Sequence, residues 1–159
     1  GCPPTILGAG ASSINQGIKA LALSRSYLEA DGLDIIAQPA FPEYDDRTET
    51  EAVQISLFPY MDTGVRARVA SDATRGEELF VSSHSDPTKV AGALAKRVRD
   101  NADIYLTAMG PQAILNGLRS IYLARRYLAD EEYTLAFVPE FGKSNDGASL
   151  LYLHVLATY

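Results

Sequence analysis

The chain has 159 residues, 47% of them hydrophobic and 21% charged, with 12 glycines, 8 prolines and one cysteine. This composition is typical of a globular protein and excludes disordered, collagen-like and disulfide-rich classes. Because Cys2 has no partner for an intrachain disulfide, we expect a reducing, intracellular compartment, either cytoplasm or organelle stroma. No cysteine and histidine cluster has zinc-site spacing, so neither a metal nor a cofactor is expected. No stretch reaches the roughly 20 apolar residues of a membrane-spanning helix.

The charge is acidic and unevenly distributed. The net charge is −6, residues 1–60 hold 3 basic and 8 acidic side chains, and residues 61–159 hold 11 and 12. Nucleic-acid affinity comes largely from basic groups that neutralise phosphates. A polyanion partner is therefore disfavoured unless the basic groups of the second part gather on one face.

The first 60 residues predict a strand, a helix and two more strands. Thr5–Leu7 is a short apolar run that ends near a glycine. The segment after it has apolar residues at a period of 3.6, which predicts a helix with one buried stripe. That stripe consists of Ile14, Ile18, Leu21 and Leu28. Strands are predicted at Leu33–Ala37, stopped by Pro39, and at Val53–Phe58, and the loop between them predicts a β-hairpin.

Residues 61–76 predict a linker that could carry one added edge strand, and residues 77–159 predict a longer version of the first region. Glu78–Ser82 is a largely apolar strand, Asp86 can cap free helix amides, and Pro87 suits the first helical position. The elements after this helix repeat the earlier order. They are a strand at Ile104–Ala108, a helix with the stripe Ile114, Leu118, Ile121 and Leu128, and strands at Tyr133–Val138 and Leu150–Leu156.

The two regions are copies of each other at a period of 100 residues. Residues 6–41 align with 106–141 without a gap, and nine of the 36 positions are identical. The identical pairs are Gly10/Gly110, Ile14/Ile114, Gly17/Gly117, Leu23/Leu123, Arg25/Arg125, Tyr27/Tyr127, Leu28/Leu128, Pro39/Pro139 and Phe41/Phe141. The sequence therefore predicts two tandem β-α-β-α-β-β units of a two-layer α/β (α+β) fold, related by pseudo-two-fold symmetry. The first unit, 1–60, lacks the opening β-α that the second, 77–159, contains: either that piece lies upstream of residue 1, or a partner supplies it, or the unit does without it.

Several motifs resemble one family. Ser85-Asp86-Pro87 followed by Val90-Ala91-Gly92-Ala93-Leu94-Ala95 is similar to the first helix of stage V sporulation protein S, a small bacterial protein of the Alba-like superfamily. Gly8-Ala9-Gly10-Ala11, Asn15-Gln16-Gly17-Ile18 and Gly32–Phe41 resemble its middle and end. This chain departs from the pattern in the extra residues Ser12 and Ser13 and in its tandem arrangement. The resemblance implies the β-α-β-α-β-β order and an assembly partly built into one polypeptide.

The resemblance also implies where nucleic acid would bind: the loop after the first strand, the start of the second helix and the hairpin arm. In the first unit that arm, residues 42–51, has five acids and one base, which repels phosphates. The remaining candidates for a basic patch are Lys96, Arg97 and Arg99 with Arg119, Arg125 and Arg126. Exposed helix faces are commonly charged for solubility alone, so this role stays an alternative.

Two glycine turns and the polar residues after them are candidates for ligand binding. Gly8-Ala9-Gly10 lacks the third glycine of a dinucleotide-binding motif, so a tight turn is the better interpretation. The polar candidates are Asn15, Gln16 and Lys19 in the first unit and Asn116 and Arg119 in the second. They could hold a phosphate, a base edge or a carboxylate, or simply satisfy free helix amides. Arg25 and Arg125 are expected to bind carboxylates, and this pairing could run across the pseudo-two-fold.

No residues form a recognisable catalytic constellation. His84 lies in a serine-rich loop next to Asp86, where helix capping explains the pattern better than a catalytic triad. The chain is instead rich in aromatic residues suited to protein interfaces. The interface candidates are Phe41, Tyr44, Phe58, Tyr60, Phe141, Tyr152 and Tyr159. We therefore expect a non-enzymatic structural protein that binds itself or protein partners through sheet edges and hairpin arms, as a lattice or shell-type subunit would, with DNA or RNA binding as the alternative.

Overall fold

The computed structural model describes residues 4–41, 52–61 and 76–158. The side chains of residues 60, 61 and 158 lie outside this description, as do the candidates Tyr44 and Tyr159 and the whole acidic arm, residues 42–51. The predicted linker, 61–76, also falls largely outside it, and the predicted domain boundaries at 60 and 77 stay predictions. Within the described ranges the chain forms three α-helices and seven strands of one sheet.

The first repeat contains β1 (Thr5–Ala9), α1 (Ala11–Leu28), β2 (Leu33–Ala40) and β3 (Ala52–Met61). A 3-10 turn at Glu29–Asp31 ends the helix. The strand, helix and hairpin order is the predicted one, and the stripe residues Ile14, Ile18 and Leu21 are buried.

The second repeat begins with two elements that have no described counterpart in the first. Its elements are β4 (Glu77–Val81), α2 (Pro87–Arg99), β5 (Ile104–Ala108), α3 (Pro111–Tyr127), β6 (Thr134–Lys143) and β7 (Ser149–Thr158). Asp86 caps α2 as predicted, since its carboxylate accepts a hydrogen bond from the Thr88 amide at 2.9 Å, and Pro87 occupies the first helical position.

The seven strands lie in the order β1-β3-β2-β6-β7-β5-β4. Neighbouring strands are antiparallel except β4 and β5, which are parallel. The two repeats meet at β2 and β6, where Ala37 pairs with Phe137, its own counterpart at the period of 100. Counted outwards from this pair, the order is β2, β3, β1 in the first repeat and β6, β7, β5 in the second, and β4 has no described counterpart. The pseudo-two-fold relation and the predicted fold class are therefore confirmed.

One hydrophobic core spans both repeats between the sheet and the helices. Phe137 is fully buried at the joint, and Ile14, Ile18, Ile114 and Leu118 fill the layer between α1, α3 and the strands. Each buried aliphatic side chain of this size contributes about 1.5–3 kcal/mol to folding. Because α1 also packs directly on α3, the two repeats share their stability.

The strands after the helices are longer than predicted. Pro39 and Pro139 were expected to end them, yet both prolines lie inside strands and pair in register with Ile55 and Leu153. The carbonyls of both prolines point into the gap between the repeats, where they accept hydrogen bonds from Arg125 and Arg25. The proline nitrogens face the same gap, so the missing N–H removes no bond of the ladder to β3 or β7.

Candidate functional site

The two repeats differ most at the outer edge of their first common strand. In the second repeat β5 is covered by β4, with Leu79 opposite Leu106 and the Glu77 amide bonded to the Asp103 carbonyl at 2.8 Å. In the first repeat the counterpart β1 pairs only with β3 among the described residues. Leu7 on β1 is 76% exposed. The first repeat therefore presents an unpaired strand edge where the second has a strand.

The helices show the same difference. In the second repeat α2 packs against α3, and Ala113, Asn116 and Ser120 are buried on α3. Their counterparts on α1 are exposed. The resulting stripe follows the helical spacing of i, i+3, i+4 and i+7 and consists of Ser13, Gln16, Ala20, Leu23 and Tyr27. We call β1 together with this stripe the open side.

Asn116 shows what the open side lacks. Its amide donates to the carbonyls of Ser82 and Ser83 at 3.0 and 3.3 Å, and so ties α3 to the loop between β4 and α2. It also accepts a hydrogen bond from Gln112. These contacts favour the structural interpretation of Asn116 over a ligand role. Its counterpart Gln16 is exposed, because no described loop lies where Ser82 and Ser83 would be.

Asn15 and Lys19 lie elsewhere, in a cleft between α1 and the start of α3. We call this the Lys19 cleft; its volume is about 210 Å³. Besides these two side chains it is bordered by Met109, Gly110, Pro111, Phe141, Ser149 and Leu150. Sequence analysis grouped Asn15, Gln16 and Lys19 together. The structure brings Asn15 and Lys19 together and places Gln16 on the open side.

The pseudo-symmetric position is closed. There the guanidinium of Arg119, the counterpart of Lys19, lies 5.2 Å from the ring centroid of Phe41, the counterpart of Phe141. Tyr122 packs on Phe41 with ring centroids 5.5 Å apart. Arg119 and the interface candidate Phe41 are therefore used within the fold, whereas Phe141 is 44% exposed.

The basic candidates on α2 do not form a purely cationic patch. Arg97 forms an ion pair with Glu77 at 2.8 Å, and Arg99 forms one with Glu131 at 2.8 Å. Lys96 is exposed. Exposed pairs of this kind contribute little to stability, but each places a carboxylate where a phosphate would have to bind.

The aromatic candidates do not converge on one surface either. Phe58 is half-buried on β3, and Tyr152 packs edge-on against Tyr105 with centroids 5.6 Å apart. The most exposed apolar side chains in the described ranges were not among the predicted candidates; they are Leu7, Leu23, Tyr27 and Phe80. Leu23 and Tyr27 are identical in both repeats, and each is more exposed in the first, where no described β-α unit lies against α1.

Two arginines join the repeats. Arg25 forms a two-point ion pair with Asp34 at 2.8 and 3.0 Å and donates to the Pro139 carbonyl across the joint at 2.7 Å. Arg125 donates to the Pro39 carbonyl at 3.1 Å, and its burial lowers the pKa of the guanidinium below its usual range. The expected contact across the pseudo-two-fold is present, but its acceptor is a carbonyl rather than a carboxylate, and the carboxylate partner of Arg25 belongs to its own repeat.

A comparison with protein families agrees with this geometry. The family described as stage V sporulation protein S matches residues 5–60 and 77–149. The chain belongs to the stage V sporulation protein S family. The two matched segments correspond to the two repeats, and the first begins at β1. The resemblance inferred from the motifs is thereby confirmed in its tandem form. In the described ranges no helix has the length and apolar character needed to cross a bilayer.

Proposed function

We propose that this family member is a non-enzymatic assembly protein and that a second copy of the chain covers its open side. One observation carries the proposal: the same surface is covered by a strand and a helix in the second repeat, and no described strand or helix covers it in the first. Tyr27 is 79% exposed on this surface, against 41% for Tyr127. Exposed apolar groups next to an unpaired strand edge are typical of a binding surface.

The chemistry of the open side favours a second copy. Neither β1 nor the stripe on α1 contains a charged residue, although the chain has a net charge of −6. Two copies can therefore meet there without repulsion between like charges, and interface cores are typically poor in charge. The opposite sheet edge, β4, carries Glu77 and Glu78. Charged side chains on an edge strand protect it from pairing, so β1 is the edge better suited to self-association.

The joint inside the chain supports a particular way for two copies to meet. β2 and β6 are antiparallel neighbours in the sheet, and α1 and α3 pack beside each other above them. If two open sides meet in the same way, β1 lies antiparallel to β1 of the other copy and the two α1 stripes face each other. Ala20, near the middle of the stripe, allows the helices to approach closely. In such an interface the same surface of each copy contacts that of the other. The assembly therefore closes as a dimer with two-fold symmetry.

A charge placed in the stripe tests the proposal. Ala20→Glu puts two carboxylates near the dimer axis, and we expect the dimer dissociation constant to rise at least about tenfold, which is about 1.4 kcal/mol. Ser26→Glu is the matched control, because Ser26 is exposed on α1 outside the stripe. Sedimentation velocity over a concentration series measures both variants and the parent chain. Hydrogen exchange should show that the β1 amides become protected on dimerisation.

Two outcomes contradict the proposal. A chain that stays monomeric at high concentration overturns it. So does a monomer in which the β1 amides that face away from β3 are already protected, because another part of the same chain would then cover the edge. Running the series with mixed DNA and RNA at low and moderate salt addresses the alternative: salt-sensitive binding that is lost when Lys96, Arg97 and Arg99 are changed to Glu would assign nucleic acid as the partner.

A further inference from the structure

The Lys19 cleft contains a buried amide whose hydrogen-bonding capacity is unused within the described residues. Asn15 is 6% exposed, lines the cleft and makes no hydrogen bond through its side chain there. At the same position the second repeat has Leu115, which is buried as well. The amide atoms of Asn15 are not closed off from solvent, so they can bond a polar group in the cleft, whereas an apolar residue fits the equivalent position. The amide at position 15 therefore points to a polar group that enters the cleft.

The charge around Asn15 favours an anion. The cleft borders the N-terminus of α3, whose cap, Gly110, has no side chain to bond the first free amides. A helix N-terminus of this length carries a partial positive charge. Lys19 adds a full positive charge and forms no ion pair with the described residues. A single lysine, an uncapped helix start and a buried amide together suit one negatively charged group.

The remaining walls limit the body of the ligand. Met109, Phe141 and Leu150 give the cleft an apolar side, and Phe141 is 44% exposed. The volume of about 210 Å³ is below that of sites for drug-sized molecules. In the other repeat Arg119 lies over Phe41 and closes the equivalent position. The structure gives no such contact between Lys19 and Phe141, so the aromatic face at Phe141 is available to a ligand.

We propose that the Lys19 cleft binds a small organic monocarboxylate whose carboxylate lies between Lys19, Asn15 and the start of α3 and whose short apolar body packs on Phe141. The site is separate from the open side, since no residue of the stripe lines the cleft. Ligand binding in the cleft can therefore be tested independently of the proposed dimer.

Titration with benzoate, followed by amide NMR shifts at constant ionic strength, tests the site. We expect saturable shifts at Asn15, Lys19 and the first turn of α3, and binding about tenfold weaker for the neutral analogue benzamide. Lys19→Met should weaken benzoate binding by about tenfold or more, since a hydrogen bond to a charged group contributes about 1.5–3 kcal/mol. Lys96→Met removes an exposed lysine elsewhere and should leave the affinity unchanged.

Asn15→Leu provides the second test, because it installs the residue that the other repeat carries at this position. The variant should fold with the circular dichroism of the parent chain and lose benzoate binding. The proposal is overturned if benzoate causes no saturable shift, if benzamide binds equally well, or if both variants bind as the parent does. Saturable binding of inorganic phosphate at the same amides without binding of benzoate would also overturn it.

Discussion

The first helices common to the two repeats, α1 and α3, carry identical residues in opposite surroundings. Leu23 is 51% exposed, whereas Leu123 is partly buried against the core. The difference arises outside the helix: α2 packs on α3, and no described helix packs on α1 at that position. The burial of a surface stripe is therefore set by its neighbour and not by its own residues. This difference is what makes the first repeat a candidate for assembly.

Other positions of the stripe have diverged with their surroundings. The Asn116 side chain donates hydrogen bonds to the loop between β4 and α2. Ser120 is fully buried, and its hydroxyl donates to the Asn116 carbonyl at 2.7 Å. Gln16 and Ala20 replace them on the open helix. The covered stripe thus makes hydrogen bonds that are specific to the elements packed on it. At the same positions the open stripe has small or neutral residues that do not require such hydrogen bonds.

The largest difference between the repeats should be at their arginines. Arg25→Met leaves the fully buried carboxylate of Asp34 without its ion-pair partner, and we expect a loss of about 3–5 kcal/mol of unfolding free energy. Arg125→Met removes hydrogen bonds to neutral acceptors at Pro39 and Gln38 and should cost about 1 kcal/mol. Urea denaturation measures both.

The double variant Arg25→Met/Asp34→Leu is the control, because it removes both charges together and should recover much of the loss. Equal losses for the two single arginine variants would show that the ion pair with Asp34 is not what distinguishes the repeats.

The next largest difference in unfolding free energy should come from placing a larger side chain in each of the two stripes. Ser120→Leu forces extra volume under α2 and should destabilise the chain by about 1–3 kcal/mol. Ala20→Leu adds the same side chain where the helix is exposed, and the unfolding free energy of the monomer should change by less than about 0.5 kcal/mol. Thermal unfolding at concentrations below the dimer dissociation constant separates the two. A similar loss at Ala20 would mean that α1 is covered within the monomer.

Much of the fold could be predicted because its signals are local. The spacing of Ile14, Ile18 and Leu21 predicts α1, Asp86 and Pro87 predict the start of α2, and the period of 100 predicts the duplication. The longer strands could not be predicted. Whether a proline ends a strand depends on which neighbour its nitrogen faces, and at Pro39 and Pro139 that neighbour is the other repeat.

The sites were less predictable, since they depend on contacts between distant parts of the chain. Sequence spacing grouped Gln16 with Asn15 and Lys19, although a helix turns adjacent residues to different faces. The Lys19 cleft is built from α1 of one repeat and the start of α3 and the hairpin of the other. The partner of Arg25 also follows only from tertiary structure, because Thr134 occupies the position equivalent to Asp34.

A smaller effect is expected on the last strand. His154 is 2% exposed, and its Nε2 lies 2.7 Å from a carboxylate oxygen of Asp103, whereas the residue at the equivalent register position of the first repeat is Ser56. His154→Gln replaces the imidazole and should cost about 1 kcal/mol by removing this hydrogen bond. Asp103 is partly exposed, so water can replace the lost partner. Urea denaturation checks the value, and a loss above about 3 kcal/mol would show that the imidazole also supports packing.

The smallest difference should be at the turn after each helix, and here the sign differs between the repeats. Gly32 and Glu132 occupy equivalent left-handed positions with φ of 68° and 65°. A residue with a side chain is disfavoured there by about 1–2 kcal/mol, which the flexibility of glycine in the unfolded chain partly offsets. Glu132→Gly should therefore stabilise the chain by about 0.5 kcal/mol, and Gly32→Ala should destabilise it by about 1 kcal/mol. Paired thermal melts measure both shifts. Destabilisation by Glu132→Gly would show that the exposed Glu132 side chain contributes more to the folded state than its backbone conformation costs.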